Sequence, residues 1–174
     1  MLKRLARDKR GVAAVEFALT APIMILVYCG LAELTQGMMA DRRAAHTAAV
    51  IGDLVAQEAQ VTGAEVDDVM KIGTSIMAPF PATDLSMRLS SIKADASGTT
   101  KVTWSRVSGT FSKLKGKVTD VPAGVIAPNE SVILAETSFA YTSAIKNVLP
   151  DGLTLTQKYY LRPRRATEVT CTSC

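Results

Sequence analysis

Residues 17–32, FALTAPIMILVYCGLA, form a run of sixteen positions without a charge, and this run limits the chain more than any other feature. Adding residues 12–15 gives twenty-one positions interrupted by Glu16 alone. A hydrocarbon core about 30 Å thick needs about 20 mostly apolar residues, so the segment is long enough to cross a bilayer as a helix. Glu16 is the anomaly within it. A carboxylate inside a membrane segment costs about 2.5–3.5 kcal/mol on insertion scales, so it calls for a partner or a purpose. Ala13, Ala14, Ala18 and Ala21 leave room for neighbouring helices to approach closely. Pro22 removes a backbone donor, and a kink is expected there.

The distribution of charge supports the same reading. The formal net charge is +4. Lys3, Arg4, Arg7, Lys9 and Arg10 against Asp8 account for all of it, which leaves 15 basic and 15 acidic side chains in the rest of the chain. A basic flank before an apolar run is a topology signal, since cytoplasmic flanks keep Lys and Arg while the following segment inserts. Nucleic acid is not an expected partner, because no basic face with interleaved aromatics remains in the body.

The helical pattern continues beyond the apolar run. Ala44, Ala48, Ile51 and Val55 fall on one stripe, with Asp41, Arg42, Asp53 and Gln57 elsewhere. Unbroken from residue 12 to residue 60, such a helix would measure about 73 Å, with Gly37 or Gly52 as places to bend. Thr62-Gly63-Ala64-Glu65 reads as a capping box opening a second helix, carried by Val66, Val69, Met70, Ile76 and Met77 and ended by Pro79. Further on, Leu85, Met87 and Leu89 alternate, then Val102 and Trp104, with the turn-rich ADASGTT between them, as in a hairpin. Residues 108–130 read as loop, and their SKLKGKV run as a solvated surface. Residues 132–141 and 153–162 read as two further strands joined by a turn around Pro150-Asp151-Gly152. Trp104, Tyr141, Tyr159 and Tyr160 are expected to pack in the sheet. The expected fold class is α+β: a long N-terminal transmembrane helix, a second helix, then a small antiparallel β-sheet domain. The expected divisions are residues 1–11 as a basic cytoplasmic leader, 12–34 as a transmembrane and assembly helix, and 35–174 as an extracytoplasmic domain.

An enzyme is not expected. His46 is the sole histidine, no Ser/His/Asp set can be completed around it, and no phosphate-cradling glycine motif occurs. Asp67 and Asp68 are explained by charge complementation near a helix N-terminus. No cofactor or metal is expected. Cys29, inside the apolar run, reads as a small packing side chain. Cys171 and Cys174 form a C-x-x-C at the end of the sequence and could close a very short disulfide loop in an oxidising compartment. Two thiolates are half a zinc site, and no helix follows to lower a thiol pKa for redox work.

Three readings compete for the N-terminus. A secretory signal would need a small-x-small cleavage site after a short apolar core, whereas this core is long and continues into a helix. A lipoprotein would need a small residue before its modified cysteine, and Cys29 follows Tyr28. The third reading places a cut before the apolar run. The sequence KRGVAAVEF, with Gly11 before the cut, Val12 after it, and Glu16 and Phe17 at the fifth and sixth mature positions, resembles a type IV prepilin processing site. The continuation ALTAPIMILVYCGLAEL resembles the TadE branch of the tight-adherence (Flp) pseudopilins, as do ESVILAETSFAY and KYYLRPRR taken together. The related TadF branch is the nearer alternative, while TadG proteins usually carry a much larger extracytoplasmic domain.

The resemblance implies a minor pilin or pseudopilin processed between Gly11 and Val12. Its implied partners are a prepilin peptidase, the inner-membrane pilus assembly platform, other minor or major pilins, and membrane lipid. It also implies a single-pass protein of the bacterial inner membrane with its C-terminal domain in the periplasm, on the way to incorporation in a pilus or retained in the membrane. The protonated amine exposed at Val12 by such a cut would lie within one or two helical turns of Glu16. In pilin-like assemblies this glutamate is held to meet the N-terminal amine of a neighbour, offsetting the desolvation of both charges. The rival expectation is an uncleaved signal-anchored membrane protein with an extracytoplasmic binding domain.

Overall fold

The computed structural model describes residues 11–122, 124–143 and 152–174. The basic leader up to Arg10 and the turn residues Pro150 and Asp151 lie outside the described residues. Helix α1 runs without interruption over Val12–Ala56, 45 residues, about 67 Å at 1.5 Å per residue. It passes through Pro22, Gly37 and Gly52 as a single element and ends four residues short of the expected limit.

The two parts of α1 differ in their surroundings. The first half, up to residue 32, projects from the domain, with Phe17, Leu19, Leu26 and Tyr28 each more than 60% exposed. From residue 40 the helix is seated, and Ala40, Ala44, Thr47, Ala48 and Ile51 are fully buried. Small side chains on this stripe bring the helix axis close to the sheet, and Thr137 on the sheet donates a hydrogen bond to the Ala44 carbonyl at 3.0 Å. Gly52 is buried in this seated stretch. A Cβ there would stand 2.5 Å from Leu161 and 2.9 Å from Ala135, so glycine is what lets α1 lie against β4 and β5.

Strand β1 (Gln60–Thr62) leads into α2 (Gly63–Ile76), whose start is the capping box read from the sequence. Glu65 N–H donates to the Thr62 hydroxyl at 3.3 Å, and Thr62 N–H donates to the Glu65 carboxylate at 2.7 Å, satisfying donors the helix cannot pair itself. Gly73 permits α2 to meet α1, since a Cβ there would sit 3.1 Å from both Ile51 and Thr47. The helix ends at Ile76, whose carbonyl accepts from Arg43 at 3.0 Å, and a short 3-10 turn, Ala82–Asp84, delivers the chain into the sheet.

The sheet comprises β2 (Leu85–Ala94), β3 (Thr100–Ser108), β4 (Ser131–Tyr141) and β5 (Leu153–Leu161), in the order β3-β2-β4-β5 and antiparallel throughout. The α+β architecture matches the expectation. Leu85, Met87, Leu89, Ile133, Ala135 and Phe139 meet the helices to form the main core. Ile92, Val132 and Leu134 face the other way.

Three features depart from the sequence reading. Val102 and Trp104, two apart, would share a face in a regular strand, but a bulge opposite Ser91 and Ile92 puts Trp104 in the helix-side core and Val102 in the opposite cluster. The segment read as a solvated loop covers the sheet's second face. Lys113, Lys115 and Lys117 are exposed, while Leu114, Val118, Val121, Val125 and Ile126 pack on Ile92, Val132 and Leu134. The C-terminal tail forms β6 (Thr170–Thr172), paired in parallel with β1. Trp104 fixes that tail by donating to the Val169 carbonyl at 2.8 Å. Of the remaining tyrosines, Tyr141 is buried at 5% exposure, Tyr160 packs on the second-face cluster, and Tyr159 is 38% exposed.

Candidate functional site

The residues singled out at the N-terminus stand together at the free end of α1. Gly11 caps the helix without a side chain, and a Cβ added there would meet nothing within 4 Å. Any effect of an alanine at this position therefore reports on a partner, not on folding. Val12 and Glu16 are four residues apart and so share one helix face. Val12 is 50% exposed and Phe17 72% exposed. The Glu16 carboxylate makes no hydrogen bond or ion pair with any described residue, and its backbone carbonyl accepts from the Thr20 hydroxyl at 3.0 Å. Ala13, Ala14 and Ala18 are exposed beside it. A carboxylate without a partner among the described residues, on an apolar, uncovered helix, can recruit a cation from another molecule.

The cysteines are remote from this end. Cys171 and Cys174 are paired with each other, their Cα atoms 5.8 Å apart, and Cys29 is a free thiol on the projecting part of α1. The paired tail is also held by β1, by Trp104, and by Lys113, which donates to the Cys174 carbonyl at 2.5 Å. Among the described residues no group of three His, Cys, Asp or Glu side chains converges as a metal site requires, and His46 stands exposed on α1.

Two buried carboxylates were not singled out from the sequence. Glu33 is 1% exposed where α1 meets the domain, and the Tyr141 hydroxyl donates to its Oε1 at 2.8 Å. Burial first, and then this hydrogen bond, push the Tyr141 phenol up to about 12. The signal was available, because the stripe through Val55, Ile51, Ala48 and Ala44 continues in steps of three and four through Ala40 and Gly37 to Glu33. Glu136, on β4, lies between its register partners Arg88 and Lys158, at 2.5 Å and 3.4 Å. Arg88 also stacks over the Phe111 ring at 4.8 Å, so this ladder ties the second-face loop to the sheet. At the opposite edge, Arg106 on β3 pairs with Asp67 on α2 at 2.5 Å and holds that carboxyl below its usual value.

The geometry thus gives one helix two tasks: a free apolar end bearing Glu16, and a seated end bearing the domain. The helix is long and apolar enough to cross a membrane, and none of its most apolar window is buried in the protein. No curated protein and no solved structure matches the chain. Residues 11–52, which contain the free end, the Glu33 junction and most of the seat on the sheet, match the family described as TadE-like protein.

Proposed function

We propose that the protein is a non-enzymatic minor pilin or pseudopilin of a tight-adherence type IV pilus. In this reading a prepilin peptidase cuts between Gly11 and Val12. Helix α1 then serves first as a single membrane anchor, with the domain in the periplasm, and afterwards as the surface that joins other pilins on the assembly platform. The observation that carries the reading is the Glu16 carboxylate, without a partner among the described residues and one helical turn from Val12 on an uncovered apolar helix. A protonated Val12 amine on a neighbouring subunit supplies the opposite charge. Pairing offsets a desolvation penalty that neither group can escape alone in hydrocarbon.

The test is a pair of substitutions read by surface pili, membrane fractionation and N-terminal mass. Glu16→Gln keeps size and hydrogen bonding while removing the charge, and should abolish pili nearly as completely as Glu16→Ala, with insertion intact in both. Normal pilus numbers in Glu16→Gln would remove the ion-pair mechanism. Normal numbers in both would favour an uncleaved anchor.

A further inference from the structure

We infer that the base of the extracytoplasmic domain is itself a lipid-binding surface, in which a groove between α1 and β5 receives an acyl chain of the adjoining leaflet and Arg42 receives the headgroup phosphate. The inference rests on the membrane-spanning part of the functional reading and not on its peptidase cut.

The depth of the domain follows from helix geometry. A hydrocarbon core of about 30 Å takes about 20 helical residues. Counted from Phe17, that length ends near Gln36. Glu33 therefore lies within the core's outer margin, where a carboxylate facing lipid would be as costly as one at Glu16. Instead it is 1% exposed and capped by the Tyr141 hydroxyl at the end of β4. To cover Glu33 at that level, the end of β4 and the start of β5 must reach the hydrocarbon boundary.

The surface next to Glu33 has the composition such a position requires. Leu34 is 55%, Met38 51% and Leu153 42% exposed, continuing the apolar face of the projecting helix onto the domain. Together with Gly37, Leu155, Asp41 and Arg42 they line a groove of about 310 Å³. Asp41 is turned to β5, where it accepts from the Gln157 amide at 2.7 Å. Arg42 forms no hydrogen bond or ion pair with a described residue and is exposed at the rim above the apolar floor. An arginine nearly two turns, about 9 Å, beyond the end of an apolar span is placed to snorkel back towards phosphate. Leu153 has no such explanation as a plain surface residue: it opens an edge strand on the side of the domain nearest the span.

The experiment uses the full-length chain in vesicles of phosphatidylethanolamine and phosphatidylglycerol, with a photoreactive side chain replacing Leu31, Met38, Leu153 or Ile72 in turn. Leu31 reports the span, and Ile72, 47% exposed on α2, reports a remote apolar site. Intact mass should reveal lipid adducts at 31, 38 and 153 and their loss at 72. Adducts at 31 without any at 38 and 153, or chain-to-chain adducts replacing lipid at 153, would overturn the groove while leaving the span in place. Absence of lipid adducts even at 31 would overturn both. Probes at both 38 and 153 guard against a single variant that misfolds. In the same vesicles Arg42→Gln should lower the ratio of phosphatidylglycerol to phosphatidylethanolamine adducts at 153 about fivefold, and an unchanged ratio would remove Arg42 from the site.

Discussion

The two ends of α1 are built from similar residues and live in opposite surroundings. Ala13, Ala14 and Ala18 at the free end are exposed, while Ala40, Ala44 and Ala48 at the seated end are fully buried. At the seated end the small side chains are explained within the chain, since they let the helix settle on β4 and β5. At the free end nothing among the described residues packs on them. Charge follows the same division. Glu33, at the junction, is capped by Tyr141, whereas Glu16 has no partner among the described residues. The same residue types thus satisfy an internal need at one end and advertise an external one at the other.

Substitutions that act at one end only can break or sharpen this contrast. The largest effect on domain stability is expected from Ile51→Ala, which opens a cavity among Thr47, Gly73 and the sheet at a fully buried site and should cost about 3 kcal/mol. Leu26→Ala on the exposed part should leave the unfolding midpoint of the domain in detergent unchanged, and equal losses from both would abolish the contrast. Next comes Gly52→Val, where overpacking against Leu161 and Ala135 should cost about 2 kcal/mol by the same denaturation measurement. Ala18→Val should again do nothing to the domain.

A smaller and pH-dependent effect belongs to the junction. The Tyr141 phenol is raised from 10.0 to about 12, so the folded state favours its neutral form. The stability this confers is complete below pH 10 and is lost as pH rises from 10 towards about 12. Tyr141→Phe should therefore cost about 1–2 kcal/mol at neutral pH through the lost hydrogen bond to a buried carboxylate. It should also flatten the alkaline limb of a stability-against-pH curve. An unchanged alkaline limb would mean that Tyr141 does not guard Glu33.

How much could be read from the sequence depended on whether local chemistry or distant partners decided each element. The α1 stripe, the Thr62–Glu65 capping box and the antiparallel β2–β3 and β4–β5 pairs all carry a short-range period or a turn signal, and all are present. The β1–β6 pair joins three-residue strands more than a hundred residues apart, Gln60 to Thr170, and neither is long enough to show alternation. The cover on the second face has no regular spacing, because side-chain packing and one isolated β-bridge, Lys117 to Lys101, hold it, with Val102 N–H donating to the Gly116 carbonyl and Val118 N–H to the Thr100 carbonyl. The bulge near Thr103 defeats the two-residue rule that linked Val102 with Trp104. At the candidate site, Gly11, Val12, Glu16 and Phe17 are legible because they form one contiguous pattern that resembles a prepilin processing site. Glu33 follows the uncharged run directly in the sequence, and its burial depends on Tyr141, 108 residues away.

The central claim is that the free end of α1 is a processed assembly surface. Mass measurement of the mature N-terminus, on protein from cells with an active prepilin peptidase, tests it most directly. The account predicts a chain beginning at Val12, shorter by eleven residues and by the entire +4 net charge of the full sequence. Gly11→Ala should delay or stop that cut without altering the fold. Recovery of only the full-length chain, beginning at Met1 beside an active peptidase, would contradict the account and leave an uncleaved membrane anchor in its place.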